Sequence, residues 1–313
     1  MARNGLRTAL VGLLGALFVL PAGAGADGKA LEVRQVREDV YAVVGPLGNR
    51  SPENLGNNAT FGFVVTDAGV VLIDSGGSAK GAAAIHDRIR TVTDKPVEVV
   101  INTGGQDHRW LGNGYFKERG ARIIAHEAAV EDQRARLQDQ RFRLGKLLGE
   151  EGMAGTEAAY ADRTFQDRHR FQLGGVTFEL RHAGPAHTPG DSFVWLADER
   201  VAFAGDIVFV DRLLGVLSHS DSRGWIESFK ALAALEPETV VPGHGPPTDM
   251  EQARADTLAY LEFLRAEVRD FMDEGGSITE IGSLDQSRFE HLENFDALSG
   301  RNAQQVYQAM MWE

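Results

Sequence analysis

A cluster of polar residues follows an apolar run in the first half of the chain. The run Val97–Ile101 is followed by NTGGQDHRWLGN (102–113), which places Gln, Asp, His and Arg side by side at 106–109. α/β proteins tend to place their chemistry at the C-terminal end of a buried strand. The stretch is therefore a candidate metal site, the remnant of one, or only a polar turn.

Three further stretches place a polar residue just beyond an apolar segment. They hold His187 in GPAHTPGD, Asp206 in AGD and His244 in VPGHGP. Turns rich in Gly and Pro fix the backbone, so that a side chain on them can face a cleft. A single histidine in a loop is more often structural than a ligand. Four such stretches, each at the end of a predicted strand, favour one shared site.

The elements that must position these residues form two strand-rich blocks. Strands are predicted at 40–44, 61–66, 70–73, 97–101 and 122–125, and then at 176–181, 192–196, 201–204 and 239–241. Helices are predicted at 79–91, 127–149, 225–235, 250–272 and 303–311, with a loop or lid at 150–164. The stretch GFVVTDAGVVLIDSGG (62–77) resembles DSFVWLADERVAFAGDIV (191–208). Two related halves with helices outside predict two sheets packed face to face, an αββα sandwich of the mixed α/β class.

The first 26 residues differ from the rest of the chain. Arg3 and Arg7 precede the uncharged 13-residue stretch TALVGLLGALFVL, and Ala-Gly-Ala stands before Asp27. This order is typical of a secretory signal peptide, and a membrane span needs roughly 20 apolar residues. The alternative is an N-terminal membrane anchor. We expect a signal peptide at 1–26, delivery to the bacterial periplasm or outside, no stable membrane insertion, and a single domain at 27–313 with a C-terminal helical extension.

Composition and net charge limit the classes of molecule that the chain can bind. The 313 residues carry a formal net charge of −13, which becomes −15 when two arginines leave with the signal peptide. Since nucleic-acid affinity depends on clustered Lys and Arg, a nucleic-acid partner is disfavoured, and we expect a small-molecule substrate. The chain contains no cysteine, so that any metal must be held by His, Asp or Glu.

The order of these stretches resembles the metallo-β-lactamase superfamily. The matching motifs are Asp74-Ser-Gly, AHTPGDS at 186–192, Gly205-Asp206 and PGHG at 242–245. The resemblance covers nearly the whole chain after residue 40 and implies an αββα sandwich with zinc at one edge. GDIVF at 205–209 and RGWI at 223–226 are similar to secreted glyoxalase II-like hydrolases of quinoprotein and sulfur-oxidation systems.

The opening stretch departs from the family pattern, which has HxHxDH between Asn-Thr and Gly-Asn. In the family, the first two histidines and the one matched by His187 hold one zinc. The Asp, the last histidine and the one matched by His244 hold the second zinc, and the residue matched by Asp206 bridges both. An ungapped match puts four residues of this chain at the HxHxDH ligand positions: Gly104, Gln106, His108 and Arg109. A one-residue slip would instead keep Asp107-His108 as the Asp–His pair, and either match removes two histidines from the first zinc site.

The resemblance therefore implies one metal ion instead of two. A catalytic zinc needs three protein ligands and a water molecule, and the chain can still supply them. The expected ligands are His187, Asp206 and His244, with His108 or Asp107 as a fourth. A set without cysteine would equally suit Mn or Fe.

Two functions remain open from the sequence. The first is metal-assisted hydrolysis of an ester, thioester or amide. In it Asp107 orients a ligand or acts as a base, Arg109 clamps an anion, and Gln106 bonds a substrate oxygen. The alternative role for Arg109 is a structural salt bridge. The second function is a non-catalytic metal- or ligand-binding accessory protein, with a protein partner in a periplasmic oxidation system of the quinoprotein type.

Overall fold

The computed structural model of the protein describes Met1 and residues 31–313. Apart from Met1, the predicted signal peptide at 1–26 lies outside the described residues. Within 31–313, no helix combines the length and the apolar character that crossing a lipid bilayer requires.

The first sheet has seven strands that follow one another in chain order. β4, β5, β6 and β7 run parallel, whereas the pairs from β1 to β4 are antiparallel. Parallel strands covered on both faces tend to be apolar, which explains why β5 is apolar except for Glu98 and the terminal Asn102. The strands are β1 Glu32–Arg37, β2 Val40–Val44, β3 Thr60–Thr66, β4 Gly69–Ile73, β5 Val97–Asn102, β6 Arg122–His126 and β7 Arg163–Phe165.

The second sheet has five strands in the order β12-β11-β10-β9-β8. β11 and β12 pair in parallel, and the other pairs are antiparallel. The strands are β8 Arg168–Leu173, β9 Val176–Arg181, β10 Phe193–Leu196, β11 Val201–Phe209 and β12 Thr239–His244.

The helices cover the outer faces of the two sheets. They are α1 Ala79–Arg90, α2 Asp107–Trp110, α3 Asn113–Lys117, α4 Glu127–Met153, α5 Ser222–Ala233, α6 Met250–Ala253, α7 Ala259–Asp273 and α8 Phe295–Met310. A π-helical turn, Arg254–Leu258, joins α6 to α7, and two short 3-10 turns lie at Ile281–Ser283 and Ser287–Phe289.

The buried residues define the layers. One apolar cluster joins Val71 and Ile101 of the first sheet to Val194 and Phe203 of the second, so the sheets pack face to face. A second cluster packs α1 on the outer face of the first sheet. A third packs α5, α7 and α8 on the outer face of the second sheet. This arrangement confirms the predicted αββα sandwich.

The predicted helix at 250–272 differs from the observed one because tertiary contacts interrupt it. Thr257 Oγ1 accepts from the backbone N of Phe209 at 2.9 Å and donates to its carbonyl at 2.6 Å. Asp256 Oδ2 accepts from the backbone N of Asp211 at 2.8 Å. Both side chains are buried, and the π turn directs them at the end of β11. β11 itself extends to Phe209, five residues beyond the predicted end.

Candidate metal centre

The strand ends bring the polar stretches to one edge of the sandwich. Asp74 follows β4, and the short helix α2 with His108 follows β5. In the second sheet, Asp206 lies within β11 and His244 ends the parallel strand β12. Asp74 adopts a positive φ of 66°, which turns the chain sharply out of the strand. The C-terminal ends of parallel strands therefore meet here, as the sequence predicts.

Three side chains, called the ligand group below, could together hold a metal ion. His108, Asp206 and His244 each offer one atom, and these atoms all lie within 4.8 Å of one another. His108 Nε2 lies 3.2 Å from Asp206 Oδ2, and His244 Nε2 lies 3.4 Å from Asp206 Oδ1. Two atoms bound to one tetrahedral zinc at ~2.0–2.1 Å would be ~3.3 Å apart. The spacing therefore fits a single small divalent cation.

The other ring nitrogens fix the histidine tautomers. His244 Nδ1 lies 3.0 Å from the carbonyl oxygen of Asn58, and His108 Nδ1 lies 3.3 Å from Asp107 Oδ1. A carbonyl or carboxylate oxygen can only accept, so each Nδ1 carries the proton and donates it. In the neutral ring, Nε2 then carries a free lone pair, which is the usual state of metal-ligating histidines.

One of these lone pairs is unused by the protein. His108 Nε2 is buried and makes no hydrogen bond with any residue in 31–313, since its contact with Asp206 is not aligned for one. A buried polar atom without a partner costs about 1–3 kcal/mol. The residues present therefore fit a metal ion, which would use this atom.

His187 lies outside the ligand group. Its Nδ1 is 3.0 Å from the carbonyl oxygen of Gly215, and its ring packs 5.3 Å from that of Trp225. Burial lowers the pKa of His187 to about 4, against the opposing field of Asp206. The imidazole is therefore neutral near pH 7, and its Nε2 is unprotonated. His187 nevertheless does not belong to the group formed by His108, Asp206 and His244.

Gly104, which the ungapped match sets at the position of the first family histidine, lies in a filled space. Gly104 has no room for a side chain, because a Cβ there would collide with the carboxylate of Asp191. Asp191 is buried and is held by the hydroxyl and the backbone N of Thr188. Burial raises the pKa of Asp191 to about 8. The space of the missing ligand has thus become part of the core.

Arg109 is completely buried beneath the ligand group. Its Nε and Nη2 donate to the two oxygens of Asp206 at 3.1 and 2.6 Å, and Nη1 donates to Asp74 Oδ2 at 3.0 Å. The remaining donors reach the carbonyl oxygens of Thr60 and Gly243 at 3.0 and 2.9 Å. These five contacts use all five N–H groups of a guanidinium, so none is left for a substrate. This geometry agrees with the structural salt bridge, the alternative role for Arg109, and not with a clamp on substrate.

The buried charges keep Asp206 ionised. Burial raises the pKa of this carboxyl, but the guanidinium of Arg109, which bonds both of its oxygens, outweighs burial and holds the pKa well below the usual value. For Asp74 the balance is reversed, since burial raises its pKa despite Arg109. Asp206 is therefore the anionic ligand of the group.

Asp107 and Gln106 line a cleft of about 400 Å³ beside the ligand group. Asp107 Oδ1 accepts from Arg50 Nη1 at 2.7 Å and from the backbone N of His108 at 2.8 Å. Burial raises the pKa of Asp107, yet Arg50 and His108 outweigh burial and lower it. Gln106 Oε1 accepts from Arg136 Nη1 at 3.0 Å. Sequence reasoning missed Arg50 and Arg136, for which the only signal is their place in a Gly/Pro-rich loop and in a charged helix.

The comparisons with known proteins agree with the fold. The sequence model of the Metallo-beta-lactamase superfamily matches residues 56–244. The alpha subunit of 2,4-dinitroanisole O-demethylase from a Nocardioides species is 26% identical over 180 residues, which are 57% of this chain and 50% of that protein. The type 2 metallo-beta-lactamase of Elizabethkingia meningoseptica is 25% identical over 186 residues, which are 58% of this chain and 67% of that one.

A solved structure shows the same architecture. The metallo-beta-lactamase from Pontibacter korlensis superposes with a TM-score of 0.60 and 22% identity, covering 74% of this chain and 99% of that one. The chain spans only about half the length of the demethylase subunit, so that protein's activity does not transfer as a whole. From the family match over more than half of the chain, the shared sandwich and the ligand group at its edge, the protein belongs to the metallo-beta-lactamase superfamily.

Proposed function

We propose that the protein is a metal-dependent hydrolase with one divalent ion, which cleaves a small ester, thioester or amide. The ligands are His108, Asp206 and His244. The observation that carries the proposal is the orientation of the two histidines. Each has its Nδ1 fixed by an oxygen acceptor and its Nε2 turned toward Asp206, and His108 Nε2 has no protein partner in the described chain.

The chain's own residues prepare this chemistry. When bound, a divalent cation supplies Lewis acidity, which polarises a carbonyl group and lowers the pKa of water. Arg109 keeps Asp206 ionised and in place, and the Asn58 carbonyl and Asp107 orient His244 and His108. Because its pKa is lowered, Asp107 stays ionised near neutral pH and acts as an orienting residue, not as a base.

The types of the ligand residues bear on the identity of the ion, and the N-terminal sequence bears on the compartment. Two imidazole nitrogens and one carboxylate suit zinc, and also Mn or Fe. The sequence at 1–26 supports export to the periplasm or outside the cell, where the substrate would be encountered. The acidic charge of the chain supports a small molecule, not a nucleic acid, as the substrate.

Metal analysis combined with turnover tests the proposal. Protein purified without a tag and loaded with zinc should hold about one ion per chain and hydrolyse a panel of aryl esters and thioesters. His244→Ala should lose both the ion and the turnover. His291→Ala, which changes an exposed histidine far along the chain, is the matched control and should lose neither. A metal content near zero after loading would overturn the proposal.

A second candidate is the non-catalytic accessory protein of a periplasmic oxidation system. The bidentate contact of Arg109 with Asp206 favours it, because a permanent cation already compensates the carboxylate that would bind the metal. In that case the loaded protein would bind one ion and hydrolyse nothing on the panel. Turnover that disappears in His244→Ala would exclude it.

A further inference from the structure

The cleft beside the ligand group is lined by more positive than negative charge. It holds four arginines and two aspartates, although the whole chain carries a net charge of −13. The charged lining residues are Arg50, Arg136, Arg143, Arg301, Asp107 and Asp139. A local positive field in an acidic protein concentrates anions at that place.

The walls come from four separate parts of the chain. Arg50 lies in the loop after β2, and α4 contributes Arg136 and Arg143. The loop after β11 contributes His219, and α8 contributes Arg301. Such a cleft of about 400 Å³ is large enough for a small organic molecule. Since Asp107 lines the cleft and its Oδ1 lies 3.3 Å from His108 Nδ1, the floor of the cleft adjoins the proposed reaction centre.

Ion pairs within the protein use three of the four arginines. Arg50 pairs with Asp107 at 2.7 Å, and Arg143 pairs with Asp139 at 3.1 Å. Arg136 pairs with Asp132. The pair of Arg143 with Asp139 is exposed, since 74% of the arginine side chain is accessible. Water weakens such a pair, so that the guanidinium can exchange partners.

Arg301 is the uncompensated charge. It makes no hydrogen bond or ion pair with any residue that the structure describes, and its side chain lines the cleft. His219 offers a second unused group, because its buried Nε2 has no partner in 31–313. Burial, and then the field of Arg136, lowers the pKa of His219 to about 4, so the ring is neutral near pH 7 and can donate or accept a proton in a hydrogen bond.

We propose that this cleft, hereafter the arginine cleft, binds an anionic group of the substrate through Arg301 and Arg143, with His219 as a neutral hydrogen-bonding partner. The group is an oxyanion, a carboxylate, sulfonate or phosphate, and it lies on the part of the substrate remote from the bond that is cleaved. Planar guanidinium groups match such oxygens in a two-point geometry. This proposal extends the proposed hydrolase function and rests on it, because the bound anion belongs to a substrate only if the protein is a hydrolase.

Binding of small anions tests the cleft without relying on turnover. Benzoate, benzenesulfonate and phenyl phosphate are titrated by calorimetry at constant ionic strength into the wild type and variants, with benzyl alcohol as the neutral probe. Arg301→Gln should weaken the tightest anion about ten-fold, the loss expected for one charge-assisted hydrogen bond. Arg143→Gln/Arg301→Gln should weaken it further. The ranking of the three anions identifies the oxyanion.

Two controls separate the cleft from other anion sites. Arg170→Gln removes an exposed arginine of β8 that does not line the cleft, and it should leave the affinity unchanged. His244→Ala should also leave it unchanged, because it disables the metal ligands and not the cleft. Equal binding by Arg301→Gln and wild type, or a loss of anion binding in His244→Ala, would overturn the proposal.

Kinetics then link the cleft to the reaction. An uncharged aryl ester is compared with the same ester extended by the preferred anionic group. Arg301→Gln should raise KM about ten-fold for the charged ester and leave kcat, and the KM of the uncharged ester, unchanged. If neither ester is hydrolysed although Arg301→Gln weakens anion binding, the hydrolase proposal fails while the anion site stands. An equal KM change for both esters would overturn the assignment of the cleft to the anionic group.

Discussion

Arg109 holds both oxygens of Asp206, with Nη2 at 2.6 Å from Oδ1 and Nε at 3.1 Å from Oδ2. The same carboxylate lies 3.2 and 3.4 Å from the Nε2 atoms of His108 and His244. Asp206 therefore stands between a side-chain cation on one side and the candidate metal ligands on the other. The carboxylate would thereby separate the guanidinium of Arg109 from a divalent cation held by the histidines, since two such positive charges repel each other.

Replacing Arg109 should destabilise the fold. Arg109→Met leaves Asp206 and Asp74 buried without their cation, and breaking a buried ion pair in this way costs about 3–5 kcal/mol. Urea denaturation of the metal-free protein measures the change. The control is Arg170→Met at an exposed position, which should stay within about 0.5 kcal/mol of wild type. A metal-free Arg109→Met protein as stable as wild type would contradict the role assigned to this residue.

The three predicted histidine ligands should not behave alike. His108→Ala and His244→Ala each remove a member of the ligand group and should lower the affinity for zinc by more than ~100-fold, since even outer-shell changes cost 10–100-fold. His187→Ala should change it much less, because His187 lies outside the group. Competition with a chromophoric chelator gives the three affinities. The sequence hypothesis, in which His187 is a ligand, would be supported instead if all three variants lost zinc equally.

Asp107 should act through His108. Asp107→Asn keeps the shape of the side chain but weakens its contacts with the His108 ring and with Arg50. We expect the zinc affinity to fall about 10–100-fold, as for other outer-shell partners. Asp139→Asn, which changes an exposed carboxylate of the same cleft, is the comparison and should leave the affinity intact. Titration calorimetry would refute an orienting role if both variants bound zinc like the wild type.

Gly104 should tolerate no side chain. Gly104→Ala places a Cβ against the carboxylate of Asp191, and overpacking of this kind costs about 1–3 kcal/mol. Gly48→Ala is the matched control, since nothing lies within 4 Å of its added Cβ. Thermal unfolding of the two variants should differ clearly. Similar melting temperatures for both would show that the Asp191 side chain moves aside easily.

A histidine away from the site should contribute a pH dependence to stability. Burial and the stacked ring of His182, at 3.8 Å, lower the pKa of His126 to about 4 from an ordinary value near 6.5. Between those values the unfolded chain binds a proton that the folded chain does not, so stability is present above pH 6.5 and is lost as the pH falls toward 4.

The variant His126→Asn isolates this contribution. Asn keeps an acceptor for the backbone N of Ala128, which His126 Nδ1 now caps at 3.2 Å. The stability difference between wild type and variant should therefore change with pH only in that window, by less than about 1.4 kcal/mol per pH unit because water screens part of the effect. Denaturation curves at several pH values, with exposed His291→Asn alongside, measure it. A difference independent of pH would contradict the shifted pKa.

The strands at the centre of the fold could be predicted from the sequence because their cause is local. Val70–Ile73 is continuously apolar, Val97–Ile101 is apolar except for the half-buried Glu98, and the two are neighbouring parallel strands. The π turn at 254–258 could not be predicted, since Asp256 and Thr257 form it by bonding to the end of β11, 45 to 48 residues away. Helical periodicity depends on neighbouring residues only and cannot indicate such distant partners.

The candidate site also contains residues that could be predicted from local sequence and residues that could not. The Gly- and Pro-rich sequence around His108, Asp206 and His244 singled them out as candidates, although the structure places His108 in α2 and Asp206 within β11 instead of in turns. The arginine cleft was not visible, because Arg50, His219 and Arg301 lie in unrelated segments that only the folded chain brings together. Asp191 fills the space beside Gly104, and this contact could not be predicted either, because the two residues lie in loops 87 residues apart.

The charge that neutralises Asp206 and Asp74 is covalently part of the chain. Chelators or metal starvation can withdraw a zinc ion, but the guanidinium of Arg109 neither dissociates nor loses its proton, since the two carboxylates raise its pKa further despite burial. This edge of the sandwich thus keeps its counter-charge when divalent ions are scarce. We expect the metal-free protein to stay folded through such periods and to bind a divalent ion again on resupply, so that loss of the ion would suspend the proposed reaction without unfolding the chain.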